Sequence, residues 1–388
     1  MKDVLTVIWS PAFGGDPELF VANPSGEVLG AEKVIPKDGI SVSSTNKIVL
    51  DGVQLELHIA PSTCRATIGN SMRAIFAQLK KTLDGAKLSA SFAPVVEVSK
   101  KEMDSLSDAA KQLGCAPSLN NYNPKATIKV AKDFRTRSAG GHIHIGMDGN
   151  LTLKNAIKKD PKDFVSLMDL FVGLPSVMMD RDPSVAERRK TYGRAGEYRL
   201  PTYGLEYRTL DNFWLRSYQL TSLVFGLSKL ACNVYTHSCN DSDYRYSASL
   251  PVTMSWNPMK DLLNEVNLKK VEEAINTNNY DLAKELWSNH MAKFIREHVP
   301  QQSTYNDGRQ DFILPLDASN IDDFQYFCDE IHKKGIERWF PHDPMTHWTS
   351  ISDGHGIGWE SYMAQVVKPI RKYDQLETTL MELKKGSK

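Results

Sequence analysis

Alternation of polar and apolar residues marks several short strands in the first 210 residues of the chain. The clearest run is 53–60, in which glutamine, glutamate and histidine alternate with leucine and isoleucine. Side chains two residues apart in a strand point to the same face, so such a run has one polar and one apolar face. The same reading predicts further strands at 4–9, 19–22, 27–30, 88–97 and 142–146.

Longer stretches with an apolar residue every three or four positions predict helices. These stretches are 65–83, 103–113, 163–179, 215–235, 260–266, 269–276, 281–299, 321–334 and 359–383. The chain is therefore strand-rich to about residue 240 and largely helical afterwards. We predict an α+β fold with a strand-rich catalytic domain over residues 1–240 and a mostly helical accessory region over residues 241–388.

Composition narrows the classes of function. The 388 residues are 41% hydrophobic and 24% charged, as in globular proteins with a sizeable core. The net charge is zero and the pI is near 7.1, so nothing favours nucleic acid or an anionic membrane as a partner. Five cysteines without paired metal-binding spacing predict reduced thiols, no structural zinc and a cytoplasmic location. We expect neither a secretion signal nor a membrane span.

Ionisable residues spaced by two recur on the polar faces of the predicted strands. The pairs are Asp16 and Glu18, Glu56 and His58, His142 and His144, Glu197 and Arg199, and Glu206 and Arg208. If these strands share one antiparallel sheet, one face packs on helices and the other gathers carboxylates, imidazoles and guanidiniums. Carboxylates with an imidazole suit Mg²⁺ or Mn²⁺, and arginines suit phosphoryl or carboxylate oxygens.

The stretch 188–208 is rich in such ionisable residues, because Tyr-Gly followed by Glu-Tyr-Arg occurs in it twice. Pro201 and Gly204 predict a turn between the two copies. Nearby glycines suggest that another group approaches the backbone closely; they are Gly140, Gly141, Gly146, Gly193, Gly196 and Gly204. A metal-bridged phosphate neutralised by arginines is what phosphoryl transfer requires. The chain has no P-loop motif, so we expect any nucleotide to lie on the sheet face.

Several motifs, in the same order, resemble those of glutamine synthetases. Residues 15–20 (GDPELF) resemble their E-P-E-F-F strand, 54–57 (QLEL) their G-Q-x-E strand, 140–144 (GGHIH) their G-x-x-H-x-H strand and 205–208 (LEYR) their I-E-x-R strand. The fuller motifs, including 188–199 (RRKTYGRAGEYR), resemble more closely the phage COOH-NH2 ligase type 2 family. That family belongs to the amidoligases of the glutamine synthetase and glutamate-cysteine ligase superfamily. The resemblance covers about residues 13–235.

The resemblance implies a fold and a reaction. The fold would be a glutamine-synthetase-like antiparallel sheet with helices on one face, followed by a helical C-terminal region. The reaction would use ATP with Mg²⁺ or Mn²⁺: a substrate carboxylate becomes an acyl phosphate, which an amine opens to an amide. The implied partners are a small-molecule acid and an amine such as an amino acid or a polyamine, in the host cytoplasm if the protein is phage-encoded.

Residue roles follow from the same resemblance. The implied metal ligands are Glu18, Glu56, His142, Glu206 and Asp16, the last standing where the synthetases have Glu. The implied nucleotide contacts are His142, His144, Arg189 and Arg194, the two arginines from a mobile loop. Arg199 and Arg208 would hold phosphate or a substrate carboxylate, with Glu197 beside them. The synthetases also have a Glu shortly before their G-Q-x-E strand, where the nearest acid here is Asp51.

Other interpretations of the residues stay open. Glu197 is also explained by an ion pair with Arg188 or Arg199, and Arg208 by a structural pair with Glu206. The aromatic stretch 339–356 fits a packed loop or lid better than a second site. A metal-dependent hydrolase or nuclease would use the same acids and histidines, and so would a non-catalytic phage protein on the same fold. For the ligase we expect Glu206→Ala or Glu18→Gln to abolish turnover and leave the fold intact.

Overall fold

A computed structural model describes the fold of most of the chain. The described residues are 11–112, 118–124, 135–238, 256–300, 314–340, 343–350 and 358–386. The strand predicted at 4–9 lies outside them.

The strands of the described residues are short, and every pairing between them is antiparallel. They are β1 (Ala12–Gly15), β2 (Glu18–Ala22), β3 (Val28–Leu29), β4 (Ile40–Ser41), β5 (Lys47–Asp51), β6 (Gln54–Ser62), β7 (Ser89–Ser91), β8 (Val95–Glu97), β9 (Leu119–Asn120), β10 (Thr136–Ser138), β11 (Ile143–Gly146), β12 (Glu197–Arg199) and β13 (Gly204–Tyr207). The main sheet runs β3-β2-β6-β1-β11-β13-β12-β9, with β5 also on β6 and β7 also on β2. Strands β8 and β10 form a separate pair.

The predicted helices are present, with bounds shifted by a few residues or with a helix divided. They are α1 (Arg65–Ala86), α2 (Lys100–Ser105), α3 (Asp108–Lys111), α4 (Leu151–Lys159), α5 (Lys162–Met168), α6 (Leu174–Met179), α7 (Ser184–Thr191), α8 (Tyr218–Ser238), α9 (Pro258–Glu265), α10 (Leu268–Asn276), α11 (Tyr280–Leu286), α12 (Ala292–His298), α13 (Ile321–Lys334), α14 (Pro344–Ser350), α15 (Trp359–Tyr362) and α16 (Lys368–Gly386). A π-helical turn joins α5 to α6, another joins α11 to α12, and a third joins α15 to α16.

Helices cover the apolar face of the sheet, as the alternation predicts. Leu55 and Leu57 of β6, Ile143 of β11 and Tyr207 of β13 are fully buried. They belong to one core with apolar residues of α1, α5, α6 and α8. The prediction of an α+β fold with an antiparallel sheet and a helical C-terminal region is confirmed.

The register aligns the polar residues of neighbouring strands on the opposite face. Glu18 of β2 lies across from Glu56 of β6. Glu206 of β13 lies between His144 of β11 and Arg199 of β12. Because the partners in such a pair point to the same side of a sheet, these residues share one surface. We call this surface the open face.

The helices after residue 256 join the same core as those before residue 238. Trp348 of α14 donates from Nε1 to the carbonyl of Leu215 at 2.6 Å and stacks on Phe76 of α1 at 5.5 Å. Arg65 and Glu360 form an ion pair at 2.6 Å between α1 and α15. The aromatic residues at 339, 340 and 348 are thus packing residues, whereas 341–342 and 351–357 lie outside the described residues. The division into two domains at residue 240 stays a prediction.

No helix within the described part of the chain has both the length and the apolar character that a membrane span requires.

His347 makes the stability of the fold depend on pH. Its Nε2 accepts a hydrogen bond from the backbone N–H of Tyr218, at the first turn of α8, at 3.1 Å. Burial lowers the pKa of His347 to about 4. Protonation of His347 therefore favours the unfolded state, whereas the neutral imidazole stabilises the folded state. The contribution of His347 to stability is complete above the unfolded pKa of about 6.5 and is lost as the pH falls towards 4.

We expect His347 to remove about 2 kcal/mol from the free energy of unfolding between about pH 7 and about pH 5. Urea unfolding at the two pH values measures this loss. His347→Gln places an amide oxygen, which does not titrate, where Nε2 lies. Between the two pH values this variant should therefore lose less stability than the wild type, by about 2 kcal/mol. Equal losses in the two proteins would contradict this role.

Candidate active site

Asp16, in the turn between β1 and β2, and Glu18, the first residue of β2, enter the open face together. Several backbone contacts fix this turn. The backbone N–H of Glu18 donates to the carbonyl of Gly140 at 2.8 Å, and its own carbonyl accepts from Asn212 Nδ2 at 2.8 Å. The turn is thus tied to the segment before β11 and to the segment after β13. This places Asp16 beside His144 and Glu206, and Glu18 beside Asp51 and Glu56, although these residues are far apart in the sequence.

Asp16, His144 and Glu206 form a first group of ligand atoms, which we call the histidine cluster. One ligand atom from each lies within 4.8 Å of the other two. His144 Nε2 is buried and lies 3.1 Å from Asp16 Oδ1, which is an ion-pair distance. An imidazole nitrogen that faces two carboxylates is a set of ligand atoms that a divalent cation can bind.

Glu18, Asp51 and Glu56 form a second group, the carboxylate cluster. Their ligand oxygens also lie within 4.8 Å of one another. One oxygen of Glu18, Oε2, accepts from Gln54 Nε2 at 2.6 Å and from the backbone N–H of Gly140 at 2.7 Å. These bonds hold the buried Glu18 side chain in place against β6, opposite Glu56.

The pKa values of all three carboxyl groups in the carboxylate cluster are raised, as expected for buried acids that lie close together. Burial, with Asp51 and Glu56 nearby, holds the pKa of Glu18 well above its usual range. Burial and the charge of Asp16 raise the pKa of Asp51 and of Glu56 as well. Because Asp16 acts on all three carboxylates, the two clusters adjoin. A cation bound there would relieve the repulsion.

The histidine cluster has the opposite electrostatics. Burial by itself would raise the pKa of Asp16, but His142 and His144 beside it hold that pKa well below its usual range.

The two clusters together offer five carboxylates and one imidazole. Oxygen ligands of this kind suit Mg²⁺, and an added imidazole suits Mn²⁺ equally well. The donor set therefore fits either ion.

His142 is not one of the three residues of the histidine cluster but lies beside it, with Nδ1 3.4 Å from Glu206 Oε1. The role as a metal ligand that the resemblance implies for His142 stays a prediction. The same Nδ1 lies 3.0 Å from Asp16 Oδ1, and the Nε2 of His142 contacts the hydroxyl of Tyr192. The ring is 2% exposed, and burial together with the charge of Arg208 lowers its pKa to about 4. Both ring nitrogens of His142 are engaged in hydrogen bonds. The imidazole of the histidine cluster is therefore that of His144.

Two of the predicted arginines reach Glu206. Arg208 is buried and donates from Nη1 to Glu206 Oε1, and from Nη2 to the hydroxyl of Tyr192 at 2.9 Å. Arg199 lies 3.6 Å from the same Glu206 oxygen, and its side chain is 28% exposed. Arg208 is therefore placed to orient Glu206, whereas Arg199 also faces solvent, where a substrate would arrive.

Glu197 and Arg194 form a pair at the edge of the open face. Glu197 is fully buried and accepts from Arg194 Nε at 2.8 Å and from the backbone N–H of Gly193 at 3.0 Å. Arg194 is 25% exposed. The ion pair expected for Glu197 as an alternative thus exists, but with Arg194 and not with Arg188 or Arg199.

Arg189 lies away from both clusters. It belongs to helix α7, not to a loop, and its side chain is 1% exposed. The guanidinium donates to the carbonyl of Ile275 at 2.6 Å and to Asn278 Oδ1 at 2.9 Å. These bonds tie α7 to the end of α10. The mobile loop expected around Arg189 is therefore a helix. The contact of Arg189 with phosphate stays a prediction, and the proposed site does not include this residue.

The glycines around the site accommodate groups of the protein itself. A Cβ atom on Gly141 would lie 2.0 Å from the carbonyl oxygen of Asp211, and one on Gly140 would lie 2.5 Å from His142 Nε2. At Gly193, which has a φ of +71°, a Cβ would meet the Arg188 guanidinium. The close approach inferred from these glycines is real, but its cause at these positions is packing within the protein.

Sequence reasoning missed three residues that support the site. Tyr192 joins His142 to Arg208, and the ring of Tyr203 lies 5.6 Å from that of His144. Asp169, in the π-helical turn after α5, accepts from the hydroxyl of Tyr207 at 2.6 Å, so it supports β13 from the helical side. Tyr192 and Tyr203 both stand before a glycine in the repeated Tyr-Gly pattern, and this repeat is the feature of the sequence that could have identified them.

Comparison with known proteins identifies the family of the chain. The family described as Phage phiEco32-like COOH.NH2 ligase-type 2 matches residues 99–312, which is more than half of the chain. No curated protein and no solved structure matches the chain. The matched range contains His144, Arg199, Glu206 and Arg208 of the open face. The chain is therefore a member of the phage phiEco32-like COOH-NH2 ligase type 2 family, a family of carboxylate–amine ligases.

Proposed function

We propose that this protein is an ATP-dependent carboxylate–amine ligase that requires Mg²⁺ or Mn²⁺ and forms an amide through an acyl phosphate. One observation carries the proposal. Two adjoining groups of metal-ligand atoms lie beside Arg199 and Arg208 on a single sheet face, in a member of a ligase family. Cation sites next to arginines suit a triphosphate and a carboxylate together.

The two clusters would hold the divalent ions. Asp16, His144 and Glu206 would bind one, and the carboxylate cluster would bind a second. When bound, such ions neutralise phosphate oxygens and so assist attack at phosphorus. The residues themselves hold the ligand oxygens and the nitrogen close together before any ion arrives, which lowers the cost of ordering the site.

The arginines would divide two tasks between them. Arg208 is buried and keeps Glu206 oriented through a charged hydrogen bond. Arg199 is partly exposed and would bind the carboxylate of the acid substrate or a γ-phosphoryl oxygen. Arg194, held in place by Glu197, would contact the phosphates from the edge of the face.

The proposed reaction has two steps. In the first, a carboxylate oxygen of the acid attacks the γ-phosphorus of ATP, the bond from that phosphorus to the β–γ bridging oxygen breaks, and ADP leaves. In the second, the nitrogen of the amine attacks the acyl carbon and loses a proton to solvent, while the carbon–oxygen bond to phosphate breaks. The products are an amide, ADP and inorganic phosphate. The guanidiniums of Arg194 and Arg199 would neutralise the negative charge that develops on the phosphate oxygens in these steps.

The substrates that we propose are a small-molecule acid and an amine, with amino acids and polyamines as the first candidates. The neutral net charge of the chain gives no reason to expect a nucleic acid substrate. A protein that consumes ATP is expected where ATP is abundant, and we therefore propose a cytoplasmic location.

An ADP-release assay tests the proposal. The purified protein is incubated with Mg·ATP and with mixtures of amino acids and polyamines, and products are identified by mass spectrometry. We expect ADP and phosphate to form in equal amounts only when an acid and an amine are both present, and to accompany an amide product.

The same assay separates the ligase from a hydrolase. A metal-dependent hydrolase would cleave its substrate in the absence of ATP. Product formation without ATP, or ADP release that never depends on an acid and an amine, would contradict the proposed function. Glu285→Gln, an exposed change in α11, is the matched control that should keep wild-type activity.

A further inference from the structure

Four side chains form a continuous series of hydrogen bonds beneath the open face. Arg208 Nη2 donates to the Tyr192 hydroxyl oxygen at 2.9 Å, and the same hydroxyl contacts His142 Nε2. His142 Nδ1 lies 3.0 Å from Asp16 Oδ1. Arg208, His142 and Tyr192 are all buried. The series therefore joins the guanidinium that holds Glu206 to a second acid of the histidine cluster.

The chemistry of the two ends fixes the direction of every hydrogen bond. A guanidinium only donates and an ionised carboxylate only accepts. The Tyr192 oxygen therefore accepts from Arg208, and its O–H is left to donate to His142 Nε2. The neutral imidazole then carries its proton on Nδ1 and donates it to Asp16. Each donor in the series meets an acceptor, with no conflict at any position.

We propose that Tyr192 is a positioning residue of this site, which fixes Asp16 through His142 and fixes Glu206 through Arg208. The proposal rests on the proposed function, since Asp16 and Glu206 are two of the three ligands of the histidine cluster. Loss of a residue that orients metal ligands through hydrogen bonds typically weakens metal binding about 10–100-fold. Tyr192 would thus set the geometry of two ligands from a single hydroxyl group.

The packing around Tyr192 supports this role. The Arg188 and Arg208 guanidinium carbons lie 4.8 Å and 5.3 Å from the centre of its ring, so the ring is held by cations on two sides. A Cβ on Gly140 would lie 2.5 Å from His142 Nε2 and 3.1 Å from the Tyr192 hydroxyl. Glycine at position 140 therefore leaves the space in which the tyrosine and the histidine meet.

Tyr192→Phe tests the proposal because it removes the hydroxyl and keeps the ring. We expect the affinity for Mn²⁺, measured from the free-ion signal in electron paramagnetic resonance, to fall about 10–100-fold. We also expect the ¹⁵N resonances of the His142 ring to lose the pattern of a single Nδ1–H tautomer, an effect that a merely structural role would not produce. Tyr198→Phe removes a hydroxyl from the neighbouring strand β12. It should change neither the Mn²⁺ affinity nor the ¹⁵N resonances of the His142 ring.

A second pair of variants keeps the test decisive if Tyr192→Phe does not fold. The side-chain amide of His142→Asn has a donor near the place of Nδ1, whereas that of His142→Gln has it near the place of Nε2. The proposal expects the asparagine variant to bind Mn²⁺ more tightly than the glutamine variant. Equal affinities of the two variants would overturn it.

The outcomes separate the proposal from the function on which it rests. Wild-type protein that binds Mn²⁺, with Tyr192→Phe binding it equally well, would overturn the role of Tyr192 alone. Wild-type protein that binds no Mn²⁺ would contradict the proposed function, and the positioning role would fall with it. Weaker Mn²⁺ binding by Tyr192→Phe with an altered His142 tautomer would support both.

Discussion

Glu206→Gln is expected to lower ligase turnover by more than about 100-fold while the protein remains folded. Glu206 is the residue at which the site converges, because it belongs to the histidine cluster and contacts both Arg199 and Arg208. The glutamine keeps an oxygen that can accept from Arg208 but loses the charge that a divalent cation requires. Steady-state ADP release and thermal unfolding measure the two parts of this prediction.

The structure changes the choice of substitution at this position. Glu206→Ala was expected to leave the fold intact, but Arg208 is 1% exposed and pairs with Glu206. Removing the carboxylate entirely would leave a buried guanidinium without its counter-charge, which costs about 3–5 kcal/mol in other proteins. We therefore expect Glu206→Ala to unfold at a lower temperature than Glu206→Gln. Wild-type turnover by Glu206→Gln would exclude Glu206 as a metal ligand.

Glu18→Gln is expected to have two effects of opposite sign. Turnover should fall by more than about 100-fold, because one ligand of the carboxylate cluster loses its charge. At the same time, the metal-free protein should become more stable by about 1 kcal/mol, as expected when repulsion among neighbouring charges is relieved. The amide oxygen can still accept from the backbone N–H of Gly140, where Glu18 Oε2 now does.

Urea unfolding with and without Mn²⁺ measures the second effect. Wild-type protein should gain stability from Mn²⁺, because a ligand that binds only the folded state stabilises it. Glu18→Gln should start from a higher stability and gain less. A variant that is destabilised without metal, or that gains as much from Mn²⁺ as the wild type does, would contradict the assignment of Glu18 to a cation site. Glu285→Gln again serves as the control.

Local pattern was enough to predict the sheet and its polar face. Alternation assigned Leu55 and Leu57 to the core and Glu56 to the opposite side, and the structure agrees. The predicted strand 88–97 is divided into β7 and β8, which pair with different strands. Pro94 lies between them, and proline cannot donate a hydrogen bond within a sheet.

The assignment of the two histidines could not come from the sequence. His142 and His144 are two residues apart, so alternation gives them the same face and the same chance of being a ligand. Only the structure shows that His142 precedes β11, is buried, and is already bonded to Asp16 and Tyr192. Tyr192 follows 50 residues later in the chain, and no local pattern predicts such a contact.

Arg189 shows the same limit for a basic stretch. The resemblance to the ligase family implied that Arg189 contacts phosphate from a mobile loop. The structure instead places Arg189 in a helix, with its charge bonded to the carbonyl of Ile275, 86 residues away. The partner lies in the C-terminal helical region, so the change of pattern near residue 240 marks a change in secondary structure while both parts contribute to one core.

The central claim is that the two clusters and the arginines together bind a magnesium–triphosphate. Calorimetric titration of the wild-type protein with a non-hydrolysable ATP analogue, with and without Mg²⁺, tests it most directly. We predict binding that requires Mg²⁺ in the wild type and that is lost in both Glu206→Gln and Glu18→Gln. Nucleotide binding that is indifferent to Mg²⁺ and to both substitutions, or no nucleotide binding by the wild type, would contradict the account.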